Sequence, residues 1–330
     1  MRNIINFGYD PPSFISYASV GGYEERRGPL GNKFDLCDDS DRFGMPTWEK
    51  AEGEMGRITL NLALNKISKD PSFLEALLAG DLENQCTASS GGLFTFGIPY
   101  IGLYSACSTC TEGLLLLSSL IHGKCVKNGA VVTTSHNSAA ERQFRTPIEY
   151  GGQRTPTAQW TATASGAFIL GRGGKVKIKE AMIGKIVDGV TGDASNMGAA
   201  MARAAFDTIY SYFSIKGNSR DKFDYIITGD LGRVGSLILE EMLRTNLSDI
   251  HISHLDCGNL LYDKSSDAHA GASGCGCSAS VLASYFLPEL EKGNIKNILF
   301  LSTGALMSPT SVMQGQNILG IAPLVHISSE

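Results

Sequence analysis

Apolar residues recur at helical spacing over Trp48, Ala51, Met55, Ile58 and Leu62, ahead of an Asp70-Pro71 break, and predict an amphipathic helix. Ala200, Ala204, Thr208 and Tyr212 carry the same period far downstream. Short continuous apolar runs at residues 130–135 and 298–304 predict buried strands that end in small polar residues. Residues 160–170 and 176–188 predict two longer strands, separated by the Gly171-Arg172-Gly173-Gly174 turn. Strands that end in glycine and feed helices build parallel β-α-β units, which place ligands near the carboxyl ends of strands.

The pattern repeats. Leu78-Ala79-Gly80-Asp81-Leu82 closes an apolar run, and Ile226-Ile227-Thr228-Gly229-Asp230-Leu231 does so about 150 residues later. Each precedes a cysteine-bearing segment of small residues, Ser105-Ala106-Cys107-Ser108-Thr109-Cys110 or Gly274-Cys275-Gly276-Cys277-Ser278. A helix-like apolar stretch follows (113–121 or 281–287), then a glycine turn at Gly123 or Gly293, then one of the two short strands. Four features in one order predict two similar α/β halves, residues 1–174 and 175–330, divided near Gly174. Between Ser135 and Trp160 runs a long connection with two prolines, a Gly-Gly pair and three arginines. Connections of that length are more often functional than idle.

Composition narrows the class. With 43% apolar and 18% charged residues the chain can bury a large core. Its 28 basic and 33 acidic residues give a net charge of −5 without a basic block, which argues against a nucleic-acid partner. The longest apolar run, at 113–121, is about half the roughly 18 residues that a membrane span needs. The N-terminus lacks the apolar stretch of a signal peptide. Eight cysteines at scattered spacing predict reduced thiols in a cytosol-like compartment.

Two β-α-β-α-β-β halves, with a cysteine entering a buried helix in the first, resemble the thiolase fold. The fold class expected is therefore α/β, a duplicated thiolase-like unit layered α-β-α-β-α. The Ser105–Thr109 turn resembles the nucleophile turn of β-ketoacyl synthases. A closer resemblance is to the stage V sporulation protein AD family. It is carried by Gly28-Pro29-Leu30-Gly31, Ala79-Gly80-Asp81-Leu82, Ser135-His136-Asn137, Ala140-Glu141-Arg142-Gln143-Phe144-Arg145 and Glu149-Tyr150-Gly151-Gly152-Gln153. Thr228-Gly229-Asp230-Leu231, Ser273-Gly274-Cys275-Gly276-Cys277-Ser278 and Thr303-Gly304-Ala305-Leu306-Met307-Ser308-Pro309-Thr310 continue it to the C-terminus. The resemblance implies a non-enzymatic protein of spore-forming bacteria that binds dipicolinic acid (pyridine-2,6-dicarboxylate), free or with calcium, and serves its transport into the spore. It further implies a homodimer, no cofactor, a link to spore germination, and membrane-protein partners from the same sporulation operon. The location implied is the forespore or spore, peripheral to the inner membrane, reached through a partner or surface contact.

The residues themselves point in the same direction. Cys107 at a helix N-terminus would feel the positive end of the macrodipole, which lowers a thiol pKa, and the amides there could hold an anion. Most free cysteines are simply small buried residues. The alternative function, a thiolase or ketoacyl-synthase-like acyl transferase with a thioester on Cys107, needs a base and charge-stabilising groups. Where synthases place a histidine after the strand at 226–231, this chain has Gly229 and Asp230, and an acid there opposes a thiolate. His269-Ala270-Gly271-Ala272-Ser273-Gly274 is a shortened echo of the thiolase His-Pro-x-Gly-x-Ser-Gly loop, which leaves His269 a rim or surface residue. A third reading is a scaffold with a remnant pocket.

A flat dianion needs cationic forks, helix-terminus donors and an apolar slot. The expected ligand set is Cys107, Ser108, Thr109, His136, Arg142, Arg145, Gln153 and Gly304, with Arg154 following Gln153. Arg142 and Arg145 could share a helix face, or pair with Glu141 as a solvated surface. Cys107-x-x-Cys110 lacks the flanks of a redox turn, and Cys275-x-Cys277 lacks zinc spacing. Gly229-x-x-Gly232-x-x-Gly235 is not a nucleotide loop, and Asp38-Asp39-Ser40-Asp41 lacks EF-hand spacing.

Overall fold

The computed structural model describes residues 3–144, 153–217, 223–247, 252–263 and 267–330. Each half builds a sheet with five principal strands. In the first they lie side by side as Ser13–Gly21, Ala164–Gly171, Gly129–Ser135, Ala76–Gly80 and Tyr100–Gly102. In the second they lie as Lys177–Met182, Leu324–Ser328, Asn297–Leu301, Tyr225–Thr228 and Ser253–Asp256. Both sequences of neighbours run first, fifth, fourth, second, third in chain order, so the repeat in the sequence is a repeat in topology. The two sheets meet at one antiparallel bridge, Ser13 to Lys177.

Alternation along the strands sets the layers, because successive side chains of a strand face opposite sides. Leu78, Val131 and Phe168 of the first sheet join Ile227, Phe300 and Val325 of the second in one core. The helix Thr109–His122 and the wholly buried helix Cys275–Val281 lie in that core, contributing Leu114, Leu117, Cys277 and Ala279. Leu77, Ala79 and Val132 face the other way, against Leu60, Ala63 and Leu64 of the helix Trp48–Lys66. Ile226, Leu299 and Leu301 do the same against the helices Met197–Lys216 and Gly232–Asn246. Helix, sheet, helix pair, sheet and helix follow one another through the molecule.

Three expectations change in detail. The run at 160–170 is two strands: Trp160–Thr161 pairs in parallel with Ala272–Ser273, and Ala164–Gly171 joins the large sheet. The break falls where Thr163 donates its N–H to the buried Glu25 carboxylate (3.0 Å) while its carbonyl accepts the Gly22 N–H (2.8 Å). The run at 176–188 likewise splits into Lys177–Met182 and Val187–Asp188, the latter in a small sheet with Leu319–Ile321 and Gly304–Leu306. The helix expected at 281–287 is a π turn, Leu282–Phe286, joining Cys275–Val281 to Leu287–Lys292. Pro288 has no N–H for an ordinary helical bond, and the wider turn precedes it. Among the described residues, no helix is long and apolar enough to cross a membrane.

Candidate functional site

The Cys107 turn is shaped by its own small polar residues. Ala106 sits at φ +47°, and the Ser105 carbonyl accepts both the Ser108 N–H (3.0 Å) and the Ser108 hydroxyl (2.7 Å). Thr109 Oγ1 (2.6 Å) and Cys275 Sγ (3.0 Å) donate to the Ala106 carbonyl. Gly304 closes the turn from behind: a Cβ there would stand 2.6 Å from the Ser105 carbonyl oxygen. Ser108, Thr109 and Gly304 thus hold the turn, and Cys107 alone of this group reaches the cavity in front of it.

That cavity measures about 360 Å³, within the roughly 300–1,000 Å³ of small-molecule sites. It lies between the Cys107 turn and the connection at 153–161, with second-half walls that include Met197, Ser273, Ala305 and Met307. Among the described residues its cation is Arg154, whose guanidinium lies 4.2 Å from the Trp160 ring centre. Arg154 Nη2 donates to the Gln159 carbonyl (3.3 Å) and stands 3.7 Å from the carboxylate of Glu141, another wall residue. Thr161 Oγ1 also donates to Glu141 (3.4 Å). The planar, ring-stacked guanidinium suits a carboxylate, and the apolar walls suit a ring.

Behind Ser273 lies Asp230, fully buried. It accepts hydrogen bonds from Ser273 Oγ (2.8 Å), the Gly274 N–H (3.1 Å) and Thr303 Oγ1 (2.7 Å). Burial raises its pKa, while Thr303 and Ser273 pull it back. Cys107 Sγ is 3.7 Å from Ser273 Oγ. Ser273 commits its proton to Asp230, so the thiol is the donor in the first link: S–H to hydroxyl to carboxylate. Burial first, and the Asp230 charge second, push the Cys107 thiol well above its ordinary range. The lowering expected from the helix terminus is overturned, because desolvation and a nearby anion both penalise the thiolate.

The other expected residues are scattered. Gln153 lines the cavity. His136 does not: it is buried against Trp48, ring centres 5.2 Å apart, with Nε2 2.8 Å from the Asp41 carbonyl, and burial lowers its pKa. Arg142 also misses the cavity, pairing with Glu49 on the surface, since its position on the helix Asn137–Phe144 turns it outward. Arg145 lies outside the described residues. His269 sits 3.5 Å from Asp267 and does not line the cavity. Among the described residues, no histidine lines it, and no group of three potential ligands is placed to hold a metal. All eight cysteines are free.

The sequence names Arg154 beside Gln153 without setting it apart from Arg142 and Arg145, and it gives no sign of Gln159. Gln159 Nε2 donates to the carbonyls of Asp230 (2.6 Å) and Ala272 (2.9 Å). Gly232 makes room for that amide: its φ is +62°, and a Cβ would meet Gln159 Nε2 at 2.9 Å. The available signal was the Arg154–Trp160 segment itself, a cation and an indole closing the long connection.

The family model described as stage V sporulation protein AD (SpoVAD) matches residues 4–328. The stage V sporulation protein AD of Bacillus subtilis (strain 168) is 39% identical over 317 residues, covering 95% of this chain and 94% of that protein. Among solved structures, an OleA variant from Xanthomonas campestris aligns with a TM-score of 0.60 at 12% identity, covering 98% of this chain and 99% of that one. AbyA1, a tetronic acid condensing enzyme, aligns with a TM-score of 0.58 at 17% identity, covering 95% and 99%. OleA with bound lauric acid and lauroyl-CoA gives 0.58 at 11%, covering 96% and 99%. These structural likenesses establish a thiolase-like fold, and the sequence matches establish the lineage: the chain belongs to the stage V sporulation protein AD family.

Proposed function

We propose that this sporulation protein binds dipicolinic acid in the Cys107 cavity and hands it on unchanged, as the ligand-binding component of dipicolinate uptake. The observation that carries the reading is the wiring of Cys107. Its proton is held toward Ser273 and Asp230, so the thiol is disfavoured as a nucleophile, and no histidine stands on the cavity wall among the described residues. Acyl transfer needs a thiolate and a base to recycle protons. Capture of a flat aromatic acid needs a carboxylate fork and an apolar slot, and Arg154 over Trp160 beside Met197 and Met307 supplies both.

A homodimer and membrane-protein partners belong to the same proposal. The edge strand Tyr100–Gly102 is exposed along its whole length, next to exposed Phe94 and Tyr104, a surface suited to antiparallel pairing with a second copy. With no membrane-crossing helix among the described residues, attachment to the spore membrane would run through a partner protein.

The test is calorimetric titration of the full chain with dipicolinate, beside incubation with an acyl-CoA and mass measurement of Cys107. Saturable binding is expected, weakened roughly tenfold or more in Arg154→Ala by loss of a charged hydrogen bond and little changed in Arg142→Ala. A thioester on Cys107, or no dipicolinate binding, would overturn the reading.

A further inference from the structure

The helix Trp48–Lys66 buries a glutamate on the side that meets the first sheet. Glu52 is fully buried, and its Oε1 accepts from the Thr134 hydroxyl (3.0 Å). Glu83, just after the strand Ala76–Gly80, is 4% exposed and takes the Thr87 hydroxyl (2.9 Å) on Oε2. The remaining oxygens, Glu52 Oε2 and Glu83 Oε1, are buried and have no N–H or O–H donor among the described residues. The two carboxyl groups lie within hydrogen-bonding reach of each other. Two buried carboxylates in contact repel and lack a donor, whereas one shared proton turns the same contact into a bond.

The surrounding charges add to that demand. Asp81 has donors of its own in the Glu83 N–H, the Ser89 N–H and the Ser89 hydroxyl, and so can keep its charge. Burial first raises the pKa of both glutamates, and the Asp81 charge adds to it. Cys86 and Cys275 are buried thiols that feel Asp81 and Glu52, and Tyr100 and Tyr104 stand by Asp81 and Cys86. Packed against the helix, residues 87–93, 129–135 and 164–171 bring no titratable side chain. Tyr17 of the strand Ser13–Gly21 is bonded to Glu291, and on the helix Asn137–Phe144 Arg142 pairs with Glu49 while Glu141 stands beside Arg154.

The loop that Glu83 anchors is strained. Gln85 and Cys86, neither of them glycine, stand side by side in the left-handed region at φ +62° and +51°. Such backbone persists only where contacts over-determine it. Besides Glu83 to Thr87, those contacts are Cys86 Sγ to the Leu103 carbonyl (3.2 Å) and the Tyr104 hydroxyl to Gln85 Oε1 (3.3 Å). Leu82, between Asp81 and Glu83, is a wall of the Cys107 cavity.

We infer that Glu52 and Glu83 hold one proton between them, and that this proton latches the loop 82–87 to the helix, fixing Leu82 on the cavity wall in mild acid and releasing the loop as pH rises. Opening sends the proton to solvent, and no covalent bond forms or breaks. The closed pair binds a proton more tightly than the opened loop does, so the latch is complete at low pH and is lost on passing upward through the pair's raised pKa. The latch is independent of the ligand; its effect on binding rests on the dipicolinate reading.

The experiment compares the full chain with Glu52→Gln, whose amide gives Glu83 a permanent donor at the net charge of the proton-sharing pair. Deuterium exchange of the 83–87 amides and alkylation of Cys86, both read by mass spectrometry, are followed from mildly acidic to mildly alkaline pH. The two proteins should agree in mild acid, and the wild type should then gain on the variant by up to roughly tenfold per pH unit. Taking the ratio cancels the intrinsic pH dependence of both reactions. A second carboxylate charge in an unmoved loop would do the reverse at Cys86, because it holds the thiol protonated. Glu83→Gln, the reciprocal donor, carries the comparison where Glu52→Gln folds poorly. A ratio flat with pH would overturn the latch and leave the functional reading standing. Dipicolinate affinity should weaken in the wild type relative to the variant as pH rises, and a loop that opens with no such divergence would overturn its tie to the cavity. If the loop responds as expected and dipicolinate binds neither protein, the functional reading falls and the latch stands.

Discussion

Replacing Asp230 with asparagine should release the Cys107 thiol in part, by an amount the geometry sets. The sulfur is 3.7 Å from Ser273 Oγ, which is 2.8 Å from the Asp230 carboxylate, so charge and sulfur lie at most about 6.5 Å apart. At an effective dielectric of about 20, two unit charges at that distance interact by roughly 2.5 kcal/mol, or roughly 70-fold in the thiolate population. Asparagine keeps an oxygen for Gly274 and Ser273, and Thr303, a hydroxyl, can reverse its bond to accept from the new amide. Burial, the larger cause of the raised pKa, is untouched. Cys107 in Asp230→Asn should still label more slowly than the exposed Cys125.

The assay is alkylation by iodoacetamide at a fixed mildly alkaline pH, read peptide by peptide by mass spectrometry. Cys107 labelling should rise by one to two orders of magnitude, while Cys110 and Cys277, buried in the central core, stay protected. A Cys107 rate unchanged within about twofold would refute the claim that the Asp230 charge restrains the thiol. A parallel rise at Cys110 and Cys277 would mean that the substitution opens the core, and the electrostatic argument would fail for that reason.

Other expectations follow from single contacts. Gly304→Ala puts a methyl 2.6 Å from the Ser105 carbonyl; a loss of roughly 1–3 kcal/mol in denaturant unfolding is expected, and an unchanged midpoint would contradict the close approach. The fully buried Glu25 carboxyl is pushed up to about 7 by burial, above its unfolded value of about 4.3, so the folded state binds more protons and stability falls as pH rises through 7. From pH 6.5 to 8 that loss is roughly 1 kcal/mol, visible as a falling Tm, and Glu25→Gln should remove this part of the slope. Ile101→Lys on the exposed edge strand should turn a dimer into a monomer in sedimentation, and a wild-type monomer would dismiss that interface.

Much of the architecture is legible in the chain because burial writes a period. The helices Trp48–Lys66 and Met197–Lys216 were expected from apolar spacing alone, since each presents one face to a sheet. The break at Thr163 was not, because it depends on Glu25, 138 residues earlier, capturing a backbone N–H. The pocket was legible only in part for the same kind of reason. Arg142 and Arg154 look alike in sequence, and the difference is made by partners: Glu49 draws one to the surface, while Trp160 and Glu141 hold the other in the cavity. His136 reads as a ligand beside a strand end, yet Trp48 and the Asp41 carbonyl consume it.

The duplication explains why the chemistry of Cys107 is governed from the opposite half. Asp81 and Asp230 follow equivalent strands in the same Gly-Asp-Leu setting, but they are tied differently. Asp81 accepts from Glu83 N–H (2.8 Å) and from the Ser89 N–H and hydroxyl (2.7 and 2.6 Å), closing a loop of its own half. Asp230 draws in Ser273, Gly274 and Thr303, segments that lie far along the chain and converge under the Cys107 turn. Burial is the largest cause of the raised pKa at both cysteines; Asp230 adds to it at Cys107, and at Cys275, in the matching turn, the neighbouring Cys107 and then Asp81 add to it. The cavity is what differs. Cys275 is fully enclosed, with its S–H on the Ala106 carbonyl, whereas Cys107 lines a space roofed by the connection carrying Arg154 and Gln159. The two-fold pattern thus sets an aspartate near each buried thiol, and a segment outside the repeat decides which thiol lines the cavity.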